Sequence, residues 1–310
     1  MKILNPLKMK RTLDYLKTTD PDLPTLALIN NFSETKNLWD TNGLFQIISN
    51  ETKRAYLIAE LSSFAEQNGF EGINIDFEEL DEKTYPYYLT FLEELTSELH
   101  KSGKTVSVNI PLSNDLFDLR EIGDRVDLIF LMAYDEHWSS AEPGAIASQD
   151  WFIDGIMNAV TEVPKEKLVV TLGNYGYDWT IGKKQSTAMT FQEVHTTMRE
   201  SEENIYFDTG SMNPMYSYAD DLGKDHEVWY LDAITAHNQM SAMSELGLGN
   251  VSLWRLGSED PSLWDGLHDE KNIDILKKMS YGYDIDYEGS GEFYKLQSDP
   301  KIGTRTLVNS

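Results

Sequence analysis

Residues 70–79, FEGINIDFEE, alternate polar and apolar side chains. The polar set is Asn74, Asp76 and Glu78, and the apolar set is Ile73, Ile75 and Phe77. Because successive side chains of a β-strand point to opposite faces, the two acids share one face and lie about 6.5–7 Å apart. On a buried strand each acid raises the cost of ionising the other, so hydrogen bonds, a cation or a catalytic task must offset that cost. The pattern indicates a pair of catalytic acids or, alternatively, the solvated face of an edge strand.

The elements that position these acids alternate between strands and helices. Apolar, β-branched runs predict strands at Thr25–Asn31, Phe70–Phe77, Thr105–Ile110, Val126–Tyr134, Lys167–Asn174 and Asn250–Arg255, with a fragment at Lys2–Leu4. Amphipathic stretches predict helices at Glu51–Asn68 and Tyr85–Lys101, ending near Gly69 and Gly103. This alternation predicts an α/β fold with a parallel sheet, either a (β/α) barrel or a doubly wound sheet. In a barrel, chemistry takes place at the carboxyl ends of the strands, which is where the two acids lie.

Residues 176–249 interrupt this alternation. They contain predicted helices at Thr190–Glu203 and Asp232–Leu246 and predicted strands at Ile205–Phe207 and Glu227–Leu231, which is too much structure for an ordinary loop. We interpret them as a small α+β insertion before the last strand. From about residue 268 the alternating aromatic residues and Gly-Ser turns predict a β-rich appendage or a connector to a following module. The predicted division is therefore 1–267, with the insertion at about 176–249, and 268–310.

Composition excludes several classes of function. The 310 residues include 52 acidic and 26 basic ones, and a net charge of −26 disfavours nucleic acid and anionic membranes as partners. The chain has no cysteine, which excludes disulfides, thiolate nucleophiles and cysteine-bound metals. Residues 1–20 hold no apolar run of signal-peptide length, and no later window approaches the ~20 apolar residues of a membrane span. Neither a signal nor a span is expected, and the compartment stays open.

The acidic strand carries a family resemblance. EGINIDFE resembles the D-G-x-D-x-D-x-E signature of glycoside hydrolase family 18, the chitinase-like (β/α)8 barrels, in which it ends the fourth strand. By position, the resemblance makes Glu78 the general acid and Asp76 the aspartate that orients the acetamido group of the substrate. Asn74 falls where many members have Asp, as in the spore-cortex-lytic branch, and Glu71 falls where they usually have the first Asp.

Three later stretches agree with the resemblance in the right order. FLMAYDEHW is similar to the sixth-strand segment, which implies that Tyr134 and Asp135 position the acetamido group. VTLGNYGYDW is similar to the seventh-strand segment and places Tyr175 at the cleft, and GNVSLWRLGSEDPSLW is similar to the eighth strand, with Trp254 as the floor under the sugar. Trp138, Trp151 and Trp179 are candidates for further subsites or for ordinary packing.

The resemblance implies a TIM-type barrel that cleaves polymers of β-linked N-acetylglucosamine, without cofactor or metal, and works as a monomer. In the family's retaining mechanism the 2-acetamido oxygen of the substrate is the nucleophile. Asp76 must then stay charged, while Glu78 must stay protonated near neutral pH and needs a pKa above its usual ~4.3. Only the strand at Thr25–Asn31 and the fragment at Lys2–Leu4 are predicted before the signature, so the barrel is expected to lack one or two N-terminal strands.

The sequences of the later motifs are most similar to those of bacterial family-18 domains that are fused to polysaccharide deacetylase and glycosyltransferase modules. Such a fusion would imply work outside the cytoplasmic membrane. An alternative function is a non-catalytic glycan-binding module that guides the linked deacetylase or synthase. An alternative for YDEHW is a metal site of Asp135, Glu136 and His137, although consecutive residues rarely converge on one ion.

Overall fold

The computed structural model describes residues 6–264 and three short backbone segments, 285–287, 294–298 and 305–309. The predicted strand at Lys2–Leu4 and much of the predicted appendage lie outside these residues. The chain forms two compact units, one of Met1–Ile110 with Asn114–Phe130 and one of Pro111–Ser113 with Leu131–Ser310. No helix in residues 6–264 is both long and apolar enough to cross a membrane.

The first unit contains parallel strands and the helices that follow them. Its helices are α1 (Pro6–Thr19), α2 (Thr41–Ile48), α3 (Glu51–Asn68), α4 (Tyr85–His100) and α5 (Leu119–Gly123). Its strands are β1 (Leu26–Asn30), the hairpin β2 (Phe32–Ser33) and β3 (Leu38–Trp39), β4 (Gly72–Asp76), β5 (Thr105–Pro111, whose last residue belongs to the second unit) and the first half of β6 (Leu128–Ala133). The order β1-β4-β5-β6 follows the chain. The registers pair Asn30 with Asp76 and Asn74 with Ser107.

Local signals explain why α3 has the bounds that the sequence predicts. The Asn50 side chain accepts a hydrogen bond from the Lys53 amide at the start of the helix, and Gly69 ends it in the left-handed conformation, with a φ of 68°. The buried face of α3 includes Ile58 and Leu61. α4 then buries Tyr88, Phe91, Leu92, Leu95 and Leu99 completely. Burial of such side chains contributes most of the stability of a helix in a folded domain.

The second unit begins within β6 and continues with a parallel pair of strands. Its helices are α6 (Gln149–Glu162), α7 (Phe191–Glu200) and α8 (Ala233–Glu245), with a 3₁₀ turn at Lys165–Lys167. The parallel strands β7 (Leu168–Gly173) and β13 (Val251–Trp254) pair so that Leu172 aligns with Leu253. β7 is buried at every position, as the continuous apolar run of its sequence predicts.

The insertion forms an antiparallel sheet. Its strands are β8 (Gly176–Thr180), β9 (Thr187–Met189), β10 (Ile205–Asp208), β11 (Asn213–Ala219) and β12 (Asp225–Tyr230), in the order β10-β11-β12-β8-β9. A later strand, β14 (Ile285–Tyr287), extends this sheet by pairing parallel with β10. The hairpin of β15 (Tyr294–Ser298) and β16 (Arg305–Asn309) lies further along the chain. The prediction of an α+β insertion before the last strand is confirmed. The division at residue 268 stays a prediction.

The parallel strands confirm the predicted α/β class. Six parallel strands, β1, β4, β5, β6, β7 and β13, lie in the described residues, each within two residues of its predicted bounds. Their order, β1-β4-β5-β6-β7-β13, follows the chain. The sequence analysis missed four helices, α1, α2, α5 and α6. It also missed the β2–β3 hairpin and three strands of the insertion, β8, β9 and β11.

The glycine at position 72 allows the backbone of β4 to lie close to that of β5. A Cβ at this position would lie 2.1 Å from the Thr105 carbonyl oxygen, which is a backbone atom and cannot rotate away. We expect Gly72→Ala to lower the free energy of unfolding by about 1–3 kcal/mol through overpacking. Gly249→Ala is the matched control, because a Cβ there meets nothing within 4 Å. Urea denaturation of both variants measures the difference, and equal stability would contradict the close approach.

Candidate active site

Asp76 is the last residue of β4 and its side chain is only 7% exposed. The Asn109 Nδ2 amide on β5 donates a hydrogen bond to Asp76 Oδ1 at 3.0 Å. No other hydrogen bond reaches this carboxylate from the described residues, so its second oxygen is available to a ligand. Burial raises the pKa of Asp76, and the hydrogen bond from Asn109 lowers it in part. Asp76 is therefore a carboxylate that the fold keeps in a poorly solvated place at the end of a strand.

Glu78 lies just beyond the end of β4 and is partly exposed. Its backbone N–H donates to Asn31 Oδ1 at 2.9 Å, and the Asn31 Nδ2 amide donates to the Glu78 carbonyl oxygen at 3.0 Å. This reciprocal pair fixes the backbone of Glu78 to the end of β1. The next residue, Glu79, is exposed and has a φ of 53°, in the left-handed region. The two consecutive acids therefore occupy different environments, and Glu79 faces solvent.

The opposite face of β4 is a hydrophobic core. Ile73 and Ile75 are fully buried, and Phe77 packs against Tyr88 and Phe91 with ring centroids 6.0 and 5.6 Å apart. Asn74 and Asp76 are themselves 7% exposed, which contradicts the alternative of a solvated edge-strand face. β4 also pairs with a strand on each side. The alternation therefore marks a buried polar face opposite a buried apolar one.

Glu71 lies at the other end of β4. Its carboxylate accepts hydrogen bonds from the Thr25 amide at 2.7 Å and the Thr25 hydroxyl at 3.1 Å, which lower its pKa. The side chain is exposed. Since it precedes the strand, it is separated from Asp76 by the length of β4 and serves to join the starts of two strands.

In the second unit Asp135 accepts hydrogen bonds from two tyrosines. The hydroxyls of Tyr175 and Tyr177 both donate to Asp135 Oδ1, the second at 3.0 Å. Burial raises the pKa of Asp135, while the two hydroxyls oppose the shift. The rings of Tyr134 and Tyr175 meet edge to face with centroids 5.9 Å apart, and Tyr175 meets Tyr177 at 5.4 Å. The sequence-predicted residues Tyr134, Asp135 and Tyr175 therefore form one packed cluster.

The neighbours of Asp135 point to separate partners. Glu136 Oε2 accepts a hydrogen bond from the Ser148 amide at 2.7 Å, and His137 Nδ1 lies 2.8 Å from the Ala145 carbonyl oxygen. No group of three acidic or histidine side chains in the described residues could hold a metal ion. The metal interpretation of YDEHW therefore has no structural support.

The candidate tryptophans differ in their surroundings. Trp254, at the end of β13, is 43% exposed and Trp138 is 53% exposed, so each presents ring surface to solvent. Trp179 is 1% exposed and donates its indole N–H to the Ala141 carbonyl oxygen at 3.0 Å, so it is a core residue. Trp151 is partly buried and donates to Ser113 Oγ at 2.7 Å. Only Trp138 and Trp254 among these four keep a large exposed apolar surface.

The sequence analysis missed Asn31, Asn109 and Tyr177. Asn109 carried a usable signal, because TVSVNIP alternates Ser107 and Asn109 with buried valines as β4 alternates its own side chains. Tyr177 stands two residues after Tyr175 and shares its face in an extended segment. Asn31 had no such signal, since its contact with Glu78 joins residues 47 apart.

Comparison with known proteins gives one family. The sequence model of glycosyl hydrolases family 18 matches residues 5–260. The chain is 26% identical over 255 residues to the glycosylase YvbX of Bacillus subtilis, covering 79% of this chain and 74% of that protein. It is 29% identical over 268 residues to the cortical fragment-lytic enzyme of Bacillus subtilis, covering 82% of this chain and 62% of the relative, so it spans less than two thirds of that enzyme.

A crystal structure shares the fold. The chitinase of Chromobacterium violaceum superposes with a TM-score of 0.77 and 25% identity, over 84% of each chain. This agreement confirms the TIM-barrel-like class that the parallel strands indicate.

Asp76→Asn tests the cost of burying this carboxylate. Burial gives Asp76 a higher pKa in the folded than in the unfolded chain. The free energy of unfolding therefore decreases as the pH rises from the unfolded pKa through the folded one, because the folded chain must then hold a buried charge. The amide introduced by the substitution keeps an acceptor for Asn109 and has no charge. We therefore expect the variant to gain stability over the parent as pH rises above ~4, with no gain below it.

Glu79→Gln is the control, because it removes the same charge from an exposed position. Urea unfolding at several pH values measures both variants. An equal pH dependence of the two differences would show that burial at Asp76 is not costly.

Proposed function

Because the chain belongs to family 18 of the glycosyl hydrolases, we propose that this glycosidase cleaves β-linked N-acetylglucosamine glycans by substrate-assisted, retaining catalysis. The observation that carries the proposal is the state of Asp76: a buried carboxylate with one oxygen hydrogen-bonded by protein and the other available. A glycosidase that uses a carboxylate of its own as nucleophile needs that group at the anomeric carbon. The family signature instead assigns Asp76 to the acetamido group.

Glu78 is the general acid of this proposal. It gives its proton to the glycosidic oxygen as the bond to the anomeric carbon breaks, and the 2-acetamido oxygen of the substrate forms the new bond to that carbon. The product is an oxazolinium ion. Glu78 then takes a proton from the incoming water, which restores the acid and yields a retained hemiacetal. The bonds from Asn31 to its backbone support a fixed position for this proton transfer.

Asp76 orients the acetamido group and balances its charge. Its available oxygen accepts the acetamido N–H, which turns the carbonyl oxygen toward the anomeric carbon. As the oxazolinium ion forms, positive charge develops on that group, and a carboxylate in a poorly solvated place stabilises it more than one in water does. Asn74, on the same face, contributes an amide where many relatives have an acid, and so adds no competing charge.

The tyrosine cluster and the exposed tryptophans complete the proposed roles. The family resemblance assigns Tyr134 and Asp135 to the acetamido group, and Tyr175 donates a hydrogen bond to Asp135 within the second unit. Trp254 offers its exposed ring to the C–H face of the sugar at the cleavage point, and Trp138 extends the binding surface.

The relatives support a class of substrate. They are named as a cortical fragment-lytic enzyme and a chitinase, and chitin is a polymer of N-acetylglucosamine. The net charge of −26 favours a neutral or partly deacetylated, cationic glycan. Fusion of this chain to deacetylase and glycosyltransferase modules stays a prediction, which the sequence of the flanking coding region tests.

Glu78→Gln tests the assignment of the acid. The amide keeps the size of the side chain and cannot give a proton, so turnover of chitotetraose or of peptidoglycan glycan should fall by roughly 10²–10⁴-fold, with binding retained. Glu79→Gln is the matched control, since it changes the adjacent, solvent-facing acid. If parent and Glu78→Gln bind glycan equally and neither cleaves it, the non-catalytic binding module is correct instead.

Substrates without the acetamido group test the nucleophile. A chitooligosaccharide deacetylated at the sugar that is cleaved has no amide oxygen to attack the anomeric carbon. We expect such bonds to resist hydrolysis while fully acetylated bonds are cut, with the β-anomer formed first in NMR spectra. Equal cleavage of both bonds, or initial formation of the α-anomer, would refute substrate assistance.

A further inference from the structure

Four side chains form a hydrogen-bonded row across β4 and β5. The Asn74 Nδ2 amide donates to Ser107 Oγ at 2.9 Å and to Asn109 Oδ1 at 2.9 Å, and the Asn109 Nδ2 amide donates to Asp76 Oδ1 at 3.0 Å. We call this set, Ser107, Asn74, Asn109 and Asp76, the amide row. Its members alternate along two parallel neighbouring strands and therefore share one face of the sheet.

The row has a fixed direction. An amide NH₂ has two donors and its oxygen only accepts. Asn74 uses its NH₂ toward Ser107 and Asn109, so the oxygen of Asn109 accepts and its NH₂ faces the carboxylate. A donor in this place favours ionised Asp76, because a hydrogen bond to a charged oxygen is stronger than one to a neutral oxygen.

The row counteracts the effect of burial. Burial alone favours protonated Asp76, and the Asn109 hydrogen bond acts against it. An acid at position 74 would add a second negative charge close to Asp76. Here Asn74 has an uncharged amide, and its hydrogen bond to Asn109 Oδ1 orients the Asn109 side chain. The neutral row thus supplies a donor to Asp76 without adding a charge.

We propose that Asn109 is a positioning residue that holds the Asp76 carboxylate ionised and turned toward the substrate through the amide row. The inference rests on the proposed function, since Asn109 affects the reaction only through the role proposed for Asp76. Asn109 occupies Oδ1, which leaves Oδ2 for the acetamido N–H. Loss of Asn109 should therefore affect the catalytic step more than substrate binding.

Asn109→Leu is the direct test, because leucine is similar in size and has no donor. We expect kcat to fall roughly 10–100-fold, the effect of losing a hydrogen bond to a charged group, with KM changed less than about threefold. The acidic limb of the pH profile of kcat/KM should move to higher pH. Asn109→Asp, which puts a carboxylate beside Asp76, should move the limb in the same direction and also serves if the leucine variant does not fold.

Val108→Ala is the matched control for structural damage. Val108 is a fully buried neighbour on β5 whose side chain points to the opposite face. Its truncation should lower the melting temperature without moving the acidic limb. If Val108→Ala shifts the limb as much as Asn109→Leu, or if Asn109→Leu leaves it in place, the positioning role is wrong.

Titration of the free protein separates this inference from the proposed function. The ¹³C resonance of the Asp76 carboxyl group, assigned by comparison with Asp76→Asn, reports its ionisation without any turnover. We expect it to titrate at higher pH in Asn109→Leu than in the parent. An unchanged titration overturns the inference even if the enzyme is active. In another outcome the parent chain cleaves no glycan while Asp76 still titrates at higher pH in Asn109→Leu than in the parent. That result would support the action of Asn109 on Asp76 and count against the proposed function alone.

Discussion

The buried carboxylate of Asp76 is the constraint on which the first unit depends. Ionised groups are costly to remove from water, and a strand buried on both faces accepts one only with compensating donors. The compensation here comes from the neighbouring strand, through Asn109, and the register of β4 with β5 sets the spacing. The apolar residues opposite, Ile73 and Ile75, hold the strand in place so that the donor and the acid stay aligned.

The second unit applies the same principle with different side chains. Asp135 is also buried, and the hydroxyls of Tyr175 and Tyr177 supply its hydrogen bonds. Tyrosine suits this role because one end is a polar donor and the rest of the ring packs, as the edge-to-face contacts of this cluster show. Each unit thus contains a poorly solvated acid that accepts hydrogen bonds from neutral side chains. Within residues 6–264, no Lys or Arg donates a hydrogen bond to either carboxylate.

Much of the fold follows from periodicity in the sequence. The apolar runs predict the parallel strands within two residues, and α3 begins and ends as its capping residues, Asn50 and Gly69, indicate. The antiparallel order of the insertion could not be predicted, because it depends on pairings such as β12 with β8 between segments far apart in sequence. At the site, alternation predicts which side chains share a face. It does not predict that Asn109, on another strand, is the partner of Asp76.

The assignment of function combines the family with the chemistry of particular side chains. Membership of family 18 makes the chain a glycosidase, and Asn74 contributes to the support of Asp76 through its hydrogen bond to Asn109. We propose that Asp76 is the charged acid and Glu78 the proton donor, two residues apart at the end of β4. Asp76 lies within the sheet and Glu78 lies just beyond the end of the strand, so the two side chains have different surroundings.

Binding of a stable mimic of the oxazolinium ion tests the central claim most directly. A thiazoline derived from chitobiose carries the ring that the proposed intermediate has, and ionised Asp76 should bind its ring nitrogen. Calorimetry at neutral pH should give an affinity at least about tenfold weaker for Asp76→Asn than for the parent, the effect of losing a charged partner. The same affinity for both proteins would contradict the claim that this buried carboxylate stabilises charge on the acetamido group.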